Sequence, residues 1–140
     1  MRRGSNTLFT IAWGSLAAVS VVLVLVGGLI LYAPEFAAWV SDFDAVDLDS
    51  LDSDTAEHVT LITRLLALSA MGFGILSLFV TLFGVRDRSP LSVSVMWTLP
   101  VMIATLGLTL VLDGNNYVGL GMAFLAALLS FALVIARKNT

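Results

Sequence analysis

The 140-residue chain has no cysteine, one histidine, one lysine and three prolines, and only 12% of its residues are charged. Each scarcity excludes a chemistry. Without thiols there are no disulfides, no thiolate metal sites and no dithiol redox cycle, which removes the four-helix, quinone-linked disulfide oxidoreductases. A single imidazole, His58, cannot supply paired axial haem ligation within one chain. Its position beside Glu57, in the first turns of a helix, reads as solvated; a metal shared with Glu57 is the alternative. Soluble domains carry about 25% charged residues. At half that content, most of this chain has no water to face, and no nucleic-acid partner is expected.

What the chain does contain is apolar sequence, 59% of its residues, with a mean hydropathy of +1.00. Four windows are free of charge: residues 8–31, 65–85, 91–112 and 118–136. Each comes close to or exceeds the roughly 20 residues that a helix needs to cross the hydrocarbon layer. A cleaved signal peptide has an apolar core of only about 7–15 residues. The 24-residue first window is too long for that and predicts a retained helix. The expected fold is an all-α membrane protein, a four-helix transmembrane bundle forming a single domain over 1–140. Its helices are expected at about 8–32, 55–85, 90–112 and 117–137, with an acidic outer loop at 33–54.

Charge is segregated. Arg2, Arg3, Arg86, Arg88, Arg137 and Lys138 fall on one side of a four-pass topology, and nine of the ten acids fall on the other. Loops rich in Arg and Lys stay cytoplasmic, so both termini are expected inside a cell membrane and the acidic loop outside. That loop contains DFDAVDLDSLDSD, residues 42–54, with three Asp-x-Asp pairs. A calcium-binding hand would need Gly at position 6 and Glu at position 12. Counted from Asp42 those positions are Asp47 and Ser53, so the pattern fails. The five-residue repeat matches neither strand nor helix periodicity, and the loop reads as hydrated chain.

Local signals fill in the rest. Phe36, Trp39, Val40, Phe43 and Val46 recur at helical spacing after Pro34 and predict a short amphipathic surface helix from Pro34 to about Val46. Asp54 with Glu57 three residues on resembles a capping box and predicts that the second span starts near Thr55. Pro90 suits the first turn of the third span. Pro100 should kink that span, with Thr98 or Ser94 satisfying freed carbonyls. DGNNY, residues 113–117, reads as a tight turn. Gly119, Ala123 and Ala127 repeat every four residues, Ala126 and Ser130 form a second such pair, and the second span offers Ala70 and Gly74. Small residues at this spacing let membrane helices approach closely.

No ionisable residue lies inside a span, where one would mark an ion or proton path. The hydroxyls of Ser15, Ser20, Ser69, Ser77, Thr105 and Thr109 are expected to bond back to their own helices. Arg64 breaks the charge pattern. It lies 24 residues before Arg88, and Asp113 lies 25 after it, so equal rise brings both to one depth. An Arg64–Asp113 ion pair is expected, with Glu57 as the rival acid, a lipid phosphate as the functional alternative, and snorkelling of Arg64 to water as the bland one. No catalytic, metal or cofactor constellation is expected.

Asp outnumbers Glu eight to two and Lys is nearly absent. With a pI of about 4.7, that balance points to a high-salt, haloarchaeal-type prokaryotic source. From the second span onward, TRLLALSAMGFGILSLFVTLFGVRDR followed by MWTLPVMI, with Trp97 and Pro100, resembles small four-pass prokaryotic membrane proteins of DoxX-like plan. The resemblance implies a four-helix bundle and carries no activity with it. The expected role is a non-enzymatic accessory or scaffold subunit, in contact with membrane lipids and within a homo-oligomer or larger membrane complex. A small oligomeric channel or transporter, or a lipid-binding protein, is the alternative.

Overall fold

A chain with four long apolar windows must satisfy its backbone within each segment, and helices do so. The computed structural model describes residues 2–33, 52–112, 114 and 116–139, with side chains from residue 7 onward. Its helices are α1 (Arg2–Tyr32), α2 (Ser53–Val80), α3 (Pro90–Val95), α4 (Thr98–Leu112) and α5 (Asn116–Lys138). Helix α2 runs on through a π-helical turn, Thr81–Val85. Together these make four helices long and apolar enough to cross a membrane: Thr7–Tyr32, Ser53–Val85, Pro90–Leu112 and Asn116–Lys138. The all-α, four-helix transmembrane fold is as expected. The amphipathic helix expected at Pro34–Val46, most of the acidic loop, and Asp113 lie outside the described residues.

Two local details differ from expectation. Helix α2 starts at Ser53, and its cap is Asp52 rather than Asp54: the Thr55 amide donates to Asp52 Oδ2 (3.3 Å) and the Ala56 amide to the Asp52 carbonyl. The helix therefore begins two residues earlier, because Asp52 meets the free amides of the first turn. Hydrogen bonds from the Thr55 side chain and amide hold the Asp52 carboxyl below the usual carboxylate value. The second difference is the widened turn at Thr81–Val85, closed by Arg86 N–H donating to the Thr81 carbonyl (2.9 Å). A Cβ on Gly84 would overlap the Ser92 side chain. Only a glycine leaves room for α3 there.

Pro100 breaks the third span four residues upstream, at Met96 and Trp97, because its ring would clash with the carbonyl of residue i−4. The Met96 carbonyl accepts from the Leu99 amide instead (3.1 Å). Thr98 Oγ1 donates to the Val95 carbonyl at 2.9 Å, whereas Ser94 bonds to Pro90, away from the break.

The chain falls into two compact units, residues 1–20 with 76–140, and residues 21–75. The first holds the core. Phe9, Ala12 and Leu16 of α1, Val85, Met96, Leu99 and Ile103 of the middle segments, and Leu129, Leu133 and Ala136 of α5 are buried. Within it α4 and α5 pack along their length after a turn at Gly114, whose φ of 93° suits glycine. The glycines at that contact face each other. A Cβ at Gly119 would come 2.6 Å from the Gly107 carbonyl oxygen and 2.5 Å from Val111 Cγ2.

The second unit is a helix pair. A Cβ at Gly27 would meet the Ala67 carbonyl and the Met71 amide, both at 2.8 Å, and one at Gly74 would meet the Val24 amide at 2.9 Å. Here backbone lies against backbone in antiparallel register. Lipid supplies no hydrophobic drive between helices, so close dispersion contact must hold them.

Neighbouring glycines provide matched controls. Gly119→Val should lower stability by about 1–3 kcal/mol through overpacking, while Gly121→Val, with open space around it, should change little. Likewise Gly27→Ala should destabilise and Gly28→Ala should not. Thermal unfolding in mild detergent checks both pairs; equal effects within a pair would refute the contacts.

Candidate functional site

The first place to examine is the start of α2, where His58, Glu57 and Arg64 occur. Ala56, Glu57, Thr60, Leu61 and Arg64 line a shallow open cleft of about 340 Å³. Arg64 is exposed, and Leu61, Ile62, Leu65 and Leu66 around it are more than half exposed. The guanidinium thus sits in an apolar belt. Glu57 lies two turns nearer the start of α2, and both are exposed. Whether Asp113 pairs with Arg64 falls outside the described residues. His58 Nδ1 donates to the Asp54 carbonyl at 2.6 Å, which ties the exposed ring to its own helix. Among the described residues no three His, Asp or Glu side chains converge as metal ligands do.

The expected packing residues divide. Gly119 and Gly74 are buried at close backbone contacts, and Ala70 is half-buried. Ala123 and Ala127 are exposed side chains, although the Ala123 amide nitrogen lies 3.3 Å from where a Gly107 Cβ would be. Two contacts escaped the small-residue pattern. Gly107 faces Gly119 from α4, and Gly27 faces Ala67 from α1. Both glycines are visible in the sequence, but only the register of the antiparallel pairs tells which partner each one meets.

Comparison with family models, curated proteins and solved structures found no match to this chain.

The second place is the turn RDRSP, residues 86–90. Arg86 lies with its guanidinium carbon 5.7 Å from the Trp13 ring centroid, and Arg88 4.8 Å from that of Phe9. Phe9 and Trp13 are one turn apart on α1, so two consecutive rings receive two nearby cations. Such contacts contribute roughly 0.5–2 kcal/mol each. Arg88 also donates through Nη1 to the Asn139 carbonyl in a long bond of 3.5 Å. Asn139 in turn closes the end of α5, its Nδ2 donating to the Ile135 carbonyl at 2.8 Å. Arg88 has φ of 62°, a left-handed conformation unusual for a side-chain-bearing residue. This turn joins the start of α1 to the end of α5. The sequence drew attention to the basic residues by their charge; their aromatic partners were not singled out, although Phe9 and Trp13 stand at helical spacing just inside the first span.

Interior hydroxyls complete the inventory. Ser20 and Thr81 are fully buried, and they donate to the Leu16 and Ser77 carbonyls, each at 2.8 Å. Ser15, Ser69, Thr105 and Thr109 bond to their own helices in the same way. Ser77 is buried, and its carbonyl accepts from Thr81. Thr81 Oγ1 also lies 3.7 Å from Met96 Sδ, so its second side is covered by sulfur. Among the described residues no buried side-chain nitrogen or oxygen lacks a partner.

Proposed function

We propose that this chain is a non-enzymatic accessory or scaffold subunit of a cell membrane, acting through helix contacts in a homo-oligomer or a larger membrane complex. The observation that carries the reading is the state of the interior hydroxyls. Ser20 and Thr81 spend their protons on their own helices, which leaves them no donor to offer an ion or a solute. A transport path through a single chain would instead need polar groups aimed at a wet cavity. The exterior supports the same reading. Large apolar side chains such as Leu25, Phe79, Leu108 and Phe131 stand at least half exposed on every span, giving each helix a face for lipid or another membrane helix. An oligomeric channel, formed between copies, is the second reading; it would use these outer faces.

The orientation proposed with it has both termini in the cytoplasm and the acidic segment 33–54 outside. The six basic residues and the acids on opposite sides support it. The acidic, lysine-poor composition supports a prokaryotic source of high internal salt.

Two measurements test these proposals. The chain has no cysteine, so single cysteines can report sidedness. A membrane-impermeant maleimide should label Asp49→Cys in intact cells and Ser5→Cys only after permeabilisation; the reverse pattern would overturn the orientation. Purification in mild detergent from the native host should recover a defined protein partner or a homo-oligomer. A bare monomer would overturn the scaffold role, and ion flux in liposomes from the chain alone would favour the channel.

A further inference from the structure

The basic turn and the end of α5 converge. The Arg88–Asn139 bond places residues 86–88 beside the last turn of α5, which carries Arg137 and Lys138. The stacking of Arg88 on Phe9 brings the start of α1 to the same place. Among the described residues, four cations gather at one end of the unit formed by residues 1–20 and 76–140, against one acid, Asp87. The C-termini of α2 and α5 attract cations, but each carries only about half a negative charge. That leaves net positive charge at this end. Arg86, Arg88, Arg137 and Lys138 are all exposed.

Apolar surface adjoins this charge. Phe83 and Phe79, one and two turns before Arg86, are 64% and 61% exposed, with ring centroids 4.5 Å apart. Leu91, at the start of α3, is 74% exposed. A cationic rim over exposed aromatic and aliphatic side chains matches a molecule with an anionic head and hydrocarbon tails. A solvated basic loop would need no such neighbours. Stacking on Trp13 confines Arg86, so the head would meet a cation already held in place.

We propose that Arg86 and Lys138 bind the phosphate headgroup of an anionic phospholipid, with its acyl chains lying over Phe79, Phe83 and Leu91. Arg88 and Arg137 raise the local potential while engaged in their own contacts. This site does not depend on the scaffold reading; a scaffold without lipid preference and a lipid-selective monomer are both recognisable outcomes.

The test uses the full chain in mild detergent at one ionic strength, with bound lipid read by native mass spectrometry. Phosphatidylglycerol, phosphatidylcholine and soluble glycerol 3-phosphate are the probes. Phosphatidylglycerol should bind roughly 25-fold more tightly than phosphatidylcholine, and each of Arg86→Gln and Lys138→Gln should remove roughly fivefold of that preference. Arg64→Gln should leave it intact. Lys138 is exposed in the last turn of α5, so Lys138→Gln carries the test alone if Arg86→Gln fails to fold. Equal binding of the two lipids, or a preference that Lys138→Gln leaves undiminished, would overturn the proposal. Displacement of phosphatidylglycerol by glycerol 3-phosphate at equal concentration would show a free-anion site and overturn it too.

Discussion

A helix surrounded by hydrocarbon has no water to complete its polar groups, and the rest of this structure follows from that constraint. It explains why all the described charges but Arg64 lie at or near the ends of the spans. It explains why Ser20 and Thr81 turn back onto the carbonyls of Leu16 and Ser77. The break at Pro100 obeys it as well: the ring removes one amide, and the Leu99 amide and the Thr98 hydroxyl cover the Met96 and Val95 carbonyls. Even the left-handed turn at Arg88 ends with its guanidinium on a carbonyl at the end of α5.

With polar groups closed within each helix, association must come from close contact. That gives the glycines their role. Gly107 and Gly119 bring α4 and α5 together, and Gly27 and Gly74 do the same for the pair in residues 21–75. Gly84 serves a different end, admitting Ser92 where the π-helical turn hands over to α3. Larger residues occupy the core of the other unit, where Leu16, Leu99, Leu129 and Leu133 fill the space among several helices. Two helices alone enclose no such space, so small residues and backbone must meet directly.

The spans themselves were legible in the sequence, because length and apolarity suffice to mark them; the expected windows and the observed helices agree closely. Cap and packing details were less legible. Asp54 and Glu57 have the spacing of a capping box, yet Asp52 precedes them with equal chemistry, and local spacing cannot choose between two adjacent acids. Ala123 and Ala127 repeat like a packing stripe but are exposed, since a repeat of four drifts around a helix of 3.6 residues per turn. The π-helical turn had no local signal, because Gly84 is needed by a residue eight positions later. The cation–ring contacts at Trp13 and Phe9 depend on antiparallel register, which composition does not encode. The Arg64–Asp113 pairing expected from equal depth lies outside the described residues.

The central claim is that the interior is closed to water, its polar groups satisfied helix by helix. Hydrogen–deuterium exchange in lipid nanodiscs, read by residue, tests it most directly. Amides of residues 16–20 and 77–81 should remain protected long after those of residues 53–58, at the exposed start of α2, have exchanged. Exchange at Ser20 and Thr81 as fast as at the start of α2 would reveal water in the interior and contradict the account.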